Sequence, residues 1–152
     1  MERKSFEAEP SAINDRLVTG FASVFGVLDS YGDIVQPGAF SKTIQERGGR
    51  VQYLWMHDMM EPPIAVIRDM HEVGQNELPL EMRARYPEAT GALQVSREYL
   101  STPRADEVLA GIKAGAIREL SFGFDALKFD FKQNTADPGA TIRNVRELRL
   151  WD

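Results

Sequence analysis

The 152-residue chain has no cysteine. That absence removes disulfides, thiolate zinc sites and cysteine nucleophiles together. Histidine is nearly as scarce, with His57 and His71 supplying every imidazole in the protein. Positive charge is not in surplus either: 18 Lys and Arg against 23 Asp and Glu leave a formal net charge of −5. Such a balance argues against a surface built to neutralise nucleic-acid phosphates. No apolar run approaches the roughly 20 residues of a membrane helix. The opening Met-Glu-Arg-Lys-Ser-Phe-Glu is charged and lacks the apolar stretch of a secretory signal. Together these absences predict a cytoplasmic protein with no membrane or nucleic-acid partner, no metal and no cofactor. Without internal repeats or a low-complexity linker, residues 1–152 read as a single domain, long enough to bury a full core.

What is present reads as many short strands and a few helices. Val18 to Phe25 is apolar and β-branched, a strand with Gly20 as its expected bulge. Asp29-Ser30-Tyr31-Gly32-Asp33 has turn composition, and Pro37 opens a short helix with Phe40 and Ile44 on one face, closed by Gly48-Gly49. Val51, Tyr53, Trp55 and His57 alternate with their neighbours and predict a strand ending at His57, broken by Glu61-Pro62-Pro63. Ile64 to Ile67 is another short strand, and Leu80, Met82, Ala84 and Tyr86 predict a half-exposed one. Thr102 is a good N-cap ahead of Pro103, while Ala105, Val108, Leu109 and Ile112 fall on one helical face and Gly115 supplies the stop. A strand from Ser121 to about Phe131, a polar loop from Gln133 to Gly139 and a last strand from Ile142 to Trp151 complete the chain. The fold class is therefore α+β, built on a mostly antiparallel sheet or barrel.

The most informative stretch is Leu120-Ser121-Phe122-Gly123-Phe124. In a strand, Leu120, Phe122 and Phe124 anchor one face while Ser121 and Gly123 occupy the other. A rigidly held serine beside a position without a side chain suits a nucleophile that a substrate backbone must approach closely. The stretch is not a Gly-x-Ser-x-Gly elbow, which sets aside the α/β-hydrolases. His57 is the candidate base, because an imidazole titrates near ~6.5 and exchanges protons with a hydroxyl near neutrality. A strand-end histidine bonded only to backbone is the alternative. His71, in Arg68-Asp69-Met70-His71-Glu72, reads as a solvated loop or edge residue.

A serine–histidine pair needs a third group to orient the imidazole. Asp152 falls in phase with Leu148 and Leu150 on the core side, where a carboxylate needs a partner. Glu147, in the polar phase with Arg149, is the alternative third member. Gly123 is the candidate oxyanion donor. A metal site from His57, Asp58 and Glu61 matches no strong ligand spacing. The Asp29 and Asp33 pair reads as a plain turn, Met59-Met60 as core filling in preference to a peptide contact, and Lys113 and Arg118 as surface charges.

The motifs also occur in a telling order. Gly20-Phe21-Ala22-Ser23-Val24-Phe25 is followed by Asp29-Ser30-Tyr31-Gly32-Asp33-Ile34-Val35, Pro37-Gly38-Ala39-Phe40, Trp55-Met56-His57-Asp58 and Ala114 to Phe124. Across essentially its whole length the chain closely resembles the tailed-phage prohead (procapsid) maturation proteases. The resemblance implies a serine endopeptidase with a herpesvirus assemblin-like fold, a compact β-barrel core flanked by helices. It implies work inside the immature capsid, in the cytoplasm of the bacterial host. The expected substrate there is the major capsid protein or a scaffold segment, the protease itself included. It implies His57 as base in the Trp-x-His-Asp block and Ser121 as nucleophile in the Leu-Ser-x-Gly-Phe block. Leu150-Trp151-Asp152 matches the family's last block, with aspartate where glutamate is usual. Family members continue past this acid into a further strand, so the resemblance implies a missing C-terminal segment. It also suggests a homo-oligomer. Two rivals remain: a non-catalytic β-barrel scaffold of a phage capsid or tail, which predicts Ser121 and His57 too far apart to couple, and a metal-dependent hydrolase using His57 and nearby acids.

Overall fold

Residues that alternate between large apolar and small or polar side chains build the strands that frame this protein. The computed structural model of the chain describes residues 1–7 and 10–152. Among the described residues the strands are β1 (Glu2–Glu7), β2 (Ala12–Asn14), β3 (Leu17–Phe25), β4 (Asp33–Val35), β5 (Ala65–Gly74), β6 (Gly91–Tyr99), β7 (Glu119–Gln133) and β8 (Thr141–Leu150). The helices are α1 (Ser41–Arg47), α2 (Leu80–Arg85) and α3 (Pro103–Lys113).

The strands form two four-stranded sheets, ordered β1-β7-β8-β4 and β2-β3-β6-β5. Every pairing is antiparallel except β4 with β8. The class is thus α+β and mostly antiparallel, but the hydrogen-bonded ladders are two and do not close into one barrel. The sheets share a core in which Phe25, Met70, Leu93 and Val95 from one meet Phe122, Phe124, Val145 and Leu148 from the other. Phe40, carried in just before α1, bridges them, 6.0 Å from the Phe25 ring and 5.7 Å from that of Phe122. Each such buried aromatic contributes about 1.5–3 kcal/mol of apolar burial.

Helix α3 forms as its sequence predicts. The Thr102 hydroxyl accepts from the Ala105 N–H at 3.4 Å, Pro103 opens the first turn, and Ala105, Val108, Leu109 and Ile112 are buried. Gly115 stops it at a φ of 74°. The buried stripe packs on Val18, Ile64 and Tyr99 as a second cluster.

Three segments depart from the sequence pattern. The alternating Val51 to His57 stretch is not a strand; only Tyr53 bridges to Ala65, and a tight turn follows at Trp55–Asp58. Leu80–Arg85 is helix α2, with Tyr86 as its C-cap, because Leu, Glu, Met, Arg and Ala are all strong helix formers and little burial opposes them. Leu80 is 76% exposed, so its alternation with charged residues marked no core face. The bulge in β3 lies at Ala22, where the register shifts between Phe21 and Ser23, whereas Gly20 pairs in register with Val95. The central strand β6 is the one the pattern announces least, since Arg97 interrupts its apolar phase of Leu93, Val95 and Tyr99.

The Asp29–Asp33 segment is the expected turn and also half of an ion-pair knot. Asp29 Oδ1 accepts from the backbone N–H groups of Tyr31 and Asp33 at 2.9 and 3.0 Å. Buried Lys4 pairs with Asp29 and, at 2.6 Å, with Asp33. Arg143 grips Asp33 with both arms of its fork at 2.9 and 2.7 Å. Beside this knot, β7 and β8 run on as a ribbon with Leu127, Phe129 and Phe131 exposed, the Arg143 guanidinium lying 5.6 Å over the Phe129 ring.

Candidate active site

Ser121 is set by the pattern of β7. Leu120, Phe122 and Phe124 are buried, so the side chain of Ser121 stands out on the opposite, exposed face. On one side its strand is covered by β1, with Ser5 directly across. On the other side β8 pairs only from Phe124 onward, which leaves room beside the serine for residues of the 51–64 segment.

His57 fills that room from an unusual turn. The Asp58 N–H donates to the Trp55 carbonyl at 3.0 Å, and the two central residues, Met56 and His57, both have a φ of 56°. Two consecutive left-handed residues make a primed turn, which Asn-Gly would enter freely and Met-His enters under strain. Such strain costs on the order of 1–3 kcal/mol per residue and persists only where the surroundings impose it. The result is that His57 projects away from Trp55, which packs into the cluster under α3.

Asp152 arrives from the end of β8, held by several groups. The Thr43 hydroxyl accepts from the Leu150 N–H at 3.0 Å, and Arg47 donates to the Leu150 carbonyl at 3.1 Å. The Trp151 N–H donates to the Gly123 carbonyl at 2.7 Å, its indole N–H donates to Asp125 at 2.8 Å, and the Arg47 guanidinium lies 4.7 Å over its ring. These contacts turn the Asp152 carboxylate inward, where its side chain is only 7% exposed.

The three elements bring Ser121, His57 and Asp152 into one line. His57 Nδ1 lies 2.8 Å from Asp152 Oδ2, and His57 Nε2 lies 2.7 Å from Ser121 Oγ. A carboxylate only accepts, so the Nδ1 nitrogen carries the proton and donates it. Nε2 is then the bare nitrogen, and the Ser121 hydroxyl donates to it. The arrangement can accept a proton from Ser121 while Asp152 balances the imidazolium charge.

Gly123 is drawn into this line differently from its expected oxyanion role. Its N–H donates to Asp152 at 3.0 Å through Oδ1 and at 3.1 Å through the backbone carbonyl. An N–H committed in this way is not free for an oxyanion, so that donor must come from elsewhere. Glu147, the alternative third member, is paired with Lys128 at 2.7 Å and Lys42 at 3.5 Å. The Lys128 hydrogen bond holds its carboxyl below the usual carboxylate range, and it makes no contact with His57. Asp58 is turned back to the Met60 N–H, and no three His, Asp or Glu side chains gather to hold a metal among the described residues. Met59 and Met60 are 72% and 92% exposed, so they are not core filling, and of the three methionines here Met56 lines the groove that His57 also lines. His71 lies on the edge strand β5, exposed and paired with Asp69.

A groove of about 720 Å³ opens beside the three residues, lined by Ser121, His57 and Asp152 and then by apolar side chains including Trp55, Ile64, Val95 and Ile117. Its deep wall also holds Arg97 and Tyr53, which no chemical pattern in the sequence singled out.

A serine, a histidine and an acid in line at the mouth of a groove define the constellation of a serine hydrolase. The chain belongs to the caudovirus prohead serine protease family, whose model matches residues 4–152. It is 27% identical over 131 residues to the prohead protease of Enterobacteria phage HK97, an alignment covering 86% of this chain and 50% of that relative. The chain thus spans about half the length of that curated relative. Its fold is similar to that of the bacteriophage T4 capsid assembly protease, gp21, with a TM-score of 0.61 over 98% of this chain and 91% of the other, at 12% identity. That second likeness is one of fold alone.

Proposed function

We propose that this chain is a serine endopeptidase that cleaves capsid or scaffold protein, and itself, during phage prohead maturation. The observation carrying the proposal is the line Asp152–His57–Ser121, with hydrogen bonds of 2.8 and 2.7 Å. In the reaction His57 Nε2 takes the Ser121 proton as Oγ attacks the scissile carbonyl. The C–N bond of the tetrahedral adduct breaks as the imidazolium protonates the leaving amine. Water, deprotonated by the same nitrogen, then releases the acyl group and restores Ser121. Asp152 holds the imidazole in the tautomer this requires. Backbone donors stabilise the oxyanion, each typically worth about 2.7–4 kcal/mol.

The rival reading of a non-catalytic scaffold predicts Ser121 and His57 out of reach of each other, and their 2.7 Å separation favours catalysis. The name of the HK97 relative, and that of the T4 protein similar in fold, support a capsid-associated substrate, and with it a place inside the immature capsid of the infected bacterium. The mostly antiparallel strands flanked by three helices are also consistent with kinship to the herpesvirus assemblin fold. Homo-oligomerisation belongs to the same reading. Co-expression with the neighbouring capsid subunit, followed by mass spectrometry of new chain ends on both proteins, tests it. Cleavage that Ser121→Ala abolishes supports the reading; cleavage at the parental rate by that variant overturns it.

A further inference from the structure

Among the described residues, Arg97 is a buried cation without an anion beside it. It is 2% exposed, in the inward phase of β6 with Leu93, Val95 and Tyr99. Buried charges are normally paired, because an uncompensated one costs several kcal/mol. Lys4 follows that rule, with Asp33 and Asp29 against it, and so does partly buried Arg143, with Asp33 and Glu2. Arg97 has no carboxylate partner among the described residues. Its Nε donates to the Tyr99 hydroxyl at a long 3.4 Å, its guanidinium lies 5.4 Å from the Tyr53 ring, and its Nη1 is buried without any hydrogen-bond partner.

The surroundings of this orphan group are those of an anion site. The Tyr99 hydroxyl donates to that of Tyr53 at 3.4 Å, so two phenols stand beside one guanidinium. Burial pushes the Tyr53 phenol far above its ordinary range, so it keeps its proton and remains a donor. Tyr53 and Tyr99 pack with a ring separation of 5.9 Å, which fixes both. A guanidinium fork has the geometry to take both oxygens of a carboxylate. Arg97, Tyr53 and Tyr99 line the same groove as Ser121 and His57; Arg3 and Arg118 also line it, but neither is buried as Arg97 is.

We infer that Arg97, with the hydroxyls of Tyr53 and Tyr99, is a carboxylate subsite of the substrate groove, which selects an acidic side chain at a fixed distance from the scissile bond. This rests on the reading of the groove as a protease site. The same carboxylate chemistry is offered by the free C-terminus of a cut product. The burial of Arg97, only 2% exposed, favours a side chain reaching inward from a chain that runs past Ser121.

The test measures binding, with cleavage removed by Ser121→Ala. Acetylated, amidated fluorescent octapeptides are prepared as a positional set, each position in turn carrying Glu or Gln, with one further peptide that has a free C-terminal carboxylate and no Glu. Glu at one position is expected to bind at least about 10-fold tighter than Gln by anisotropy, and Arg97→Met is expected to erase the difference. Equal binding of Glu and Gln at every position overturns the inference, as does a preference that survives in Arg97→Met. Tight binding of the free-carboxylate peptide alone overturns the assignment to a side chain. If Arg97→Met does not fold, Tyr53→Phe and Arg97→Lys serve in its place, with a reduced preference expected. The readings fail separately: a Glu preference in a protein that cleaves nothing sinks the protease alone, whereas cleavage indifferent to Glu or Gln sinks the subsite alone.

Discussion

Gly123 and Asp152 interlock. A Cβ added to Gly123 would lie 2.3 Å from Asp152 Oδ1, in space the carboxylate now occupies, and 2.9 Å from Met1 Sδ. The glycine beside the serine thus makes room for the carboxylate that is hydrogen-bonded to His57, and its N–H anchors that carboxylate.

Gly123→Ala is therefore expected to push Asp152 off His57 while leaving the serine and the histidine in the chain. Peptide cleavage should fall by up to about 10⁴-fold, the scale set by loss of the orienting acid in serine proteases of other folds. Steady-state kinetics together with a thermal melt check it, and parental kcat in a folded variant would contradict the interlock.

Asp152→Asn keeps the shape but presents an amide to His57 Nδ1. The amide favours the wrong tautomer, and a loss of about 10⁴ in kcat is expected. Glu147→Gln should leave kcat within about 2-fold, because its carboxylate serves Lys128 and Lys42. Comparable losses in the two variants would return the third role to Glu147.

Met56→Gly relieves one of the two left-handed residues in the His57 turn, at a site where the methionine is 74% exposed. A gain of about 0.5–1 kcal/mol in urea unfolding is expected. A glycine also loosens the hinge that aims the imidazole, so kcat should fall as stability rises. Destabilisation would mean that the Met56 side chain, and not its backbone, holds the turn.

The knot around Asp33 predicts acid sensitivity. Burial pushes the Asp33 carboxyl up, but the hydrogen bonds from Arg143 and Lys4 outweigh it and hold the group below its ordinary value. A lowered folded pKa means stabilisation that is whole above the unfolded value, near 3.9, and lost as pH falls through the folded one. Urea melts should therefore lose this contribution only below about pH 4, and Asp33→Asn should remove that part of the dependence. Lys4→Met, which breaks the buried pair, is expected to cost about 3–5 kcal/mol at pH 7.

Much of the site was legible because its parts obey local rules. The alternation around Ser121 fixed which face the hydroxyl takes, and the phase of Leu148 and Leu150 placed Asp152 inward. The turn at His57 was not legible, since Met-His carries none of the residues that usually adopt left-handed backbone; packing of Trp55 and the Tyr53–Ala65 bridge impose it. Helix α2 was misread because alternation outweighed propensity in a segment that buries little. Strand β6 was hidden by its own Arg97, a charge in core phase that makes sense only once the groove beside it is seen. The role of Gly123 depends on a residue 29 positions away, beyond the reach of any local pattern.

His57 and Asp152 are 95 residues apart in the chain, and His57 and Ser121 are 64 apart. Contacts of that span form only after the loops between them have closed, late in folding. A chain still emerging from the ribosome thus carries a serine and a histidine but no aligned base. Under the proposed function the constellation is in effect a timer: proteolysis would be withheld until β8 has docked against β7, and neighbouring proteins would meet only finished molecules.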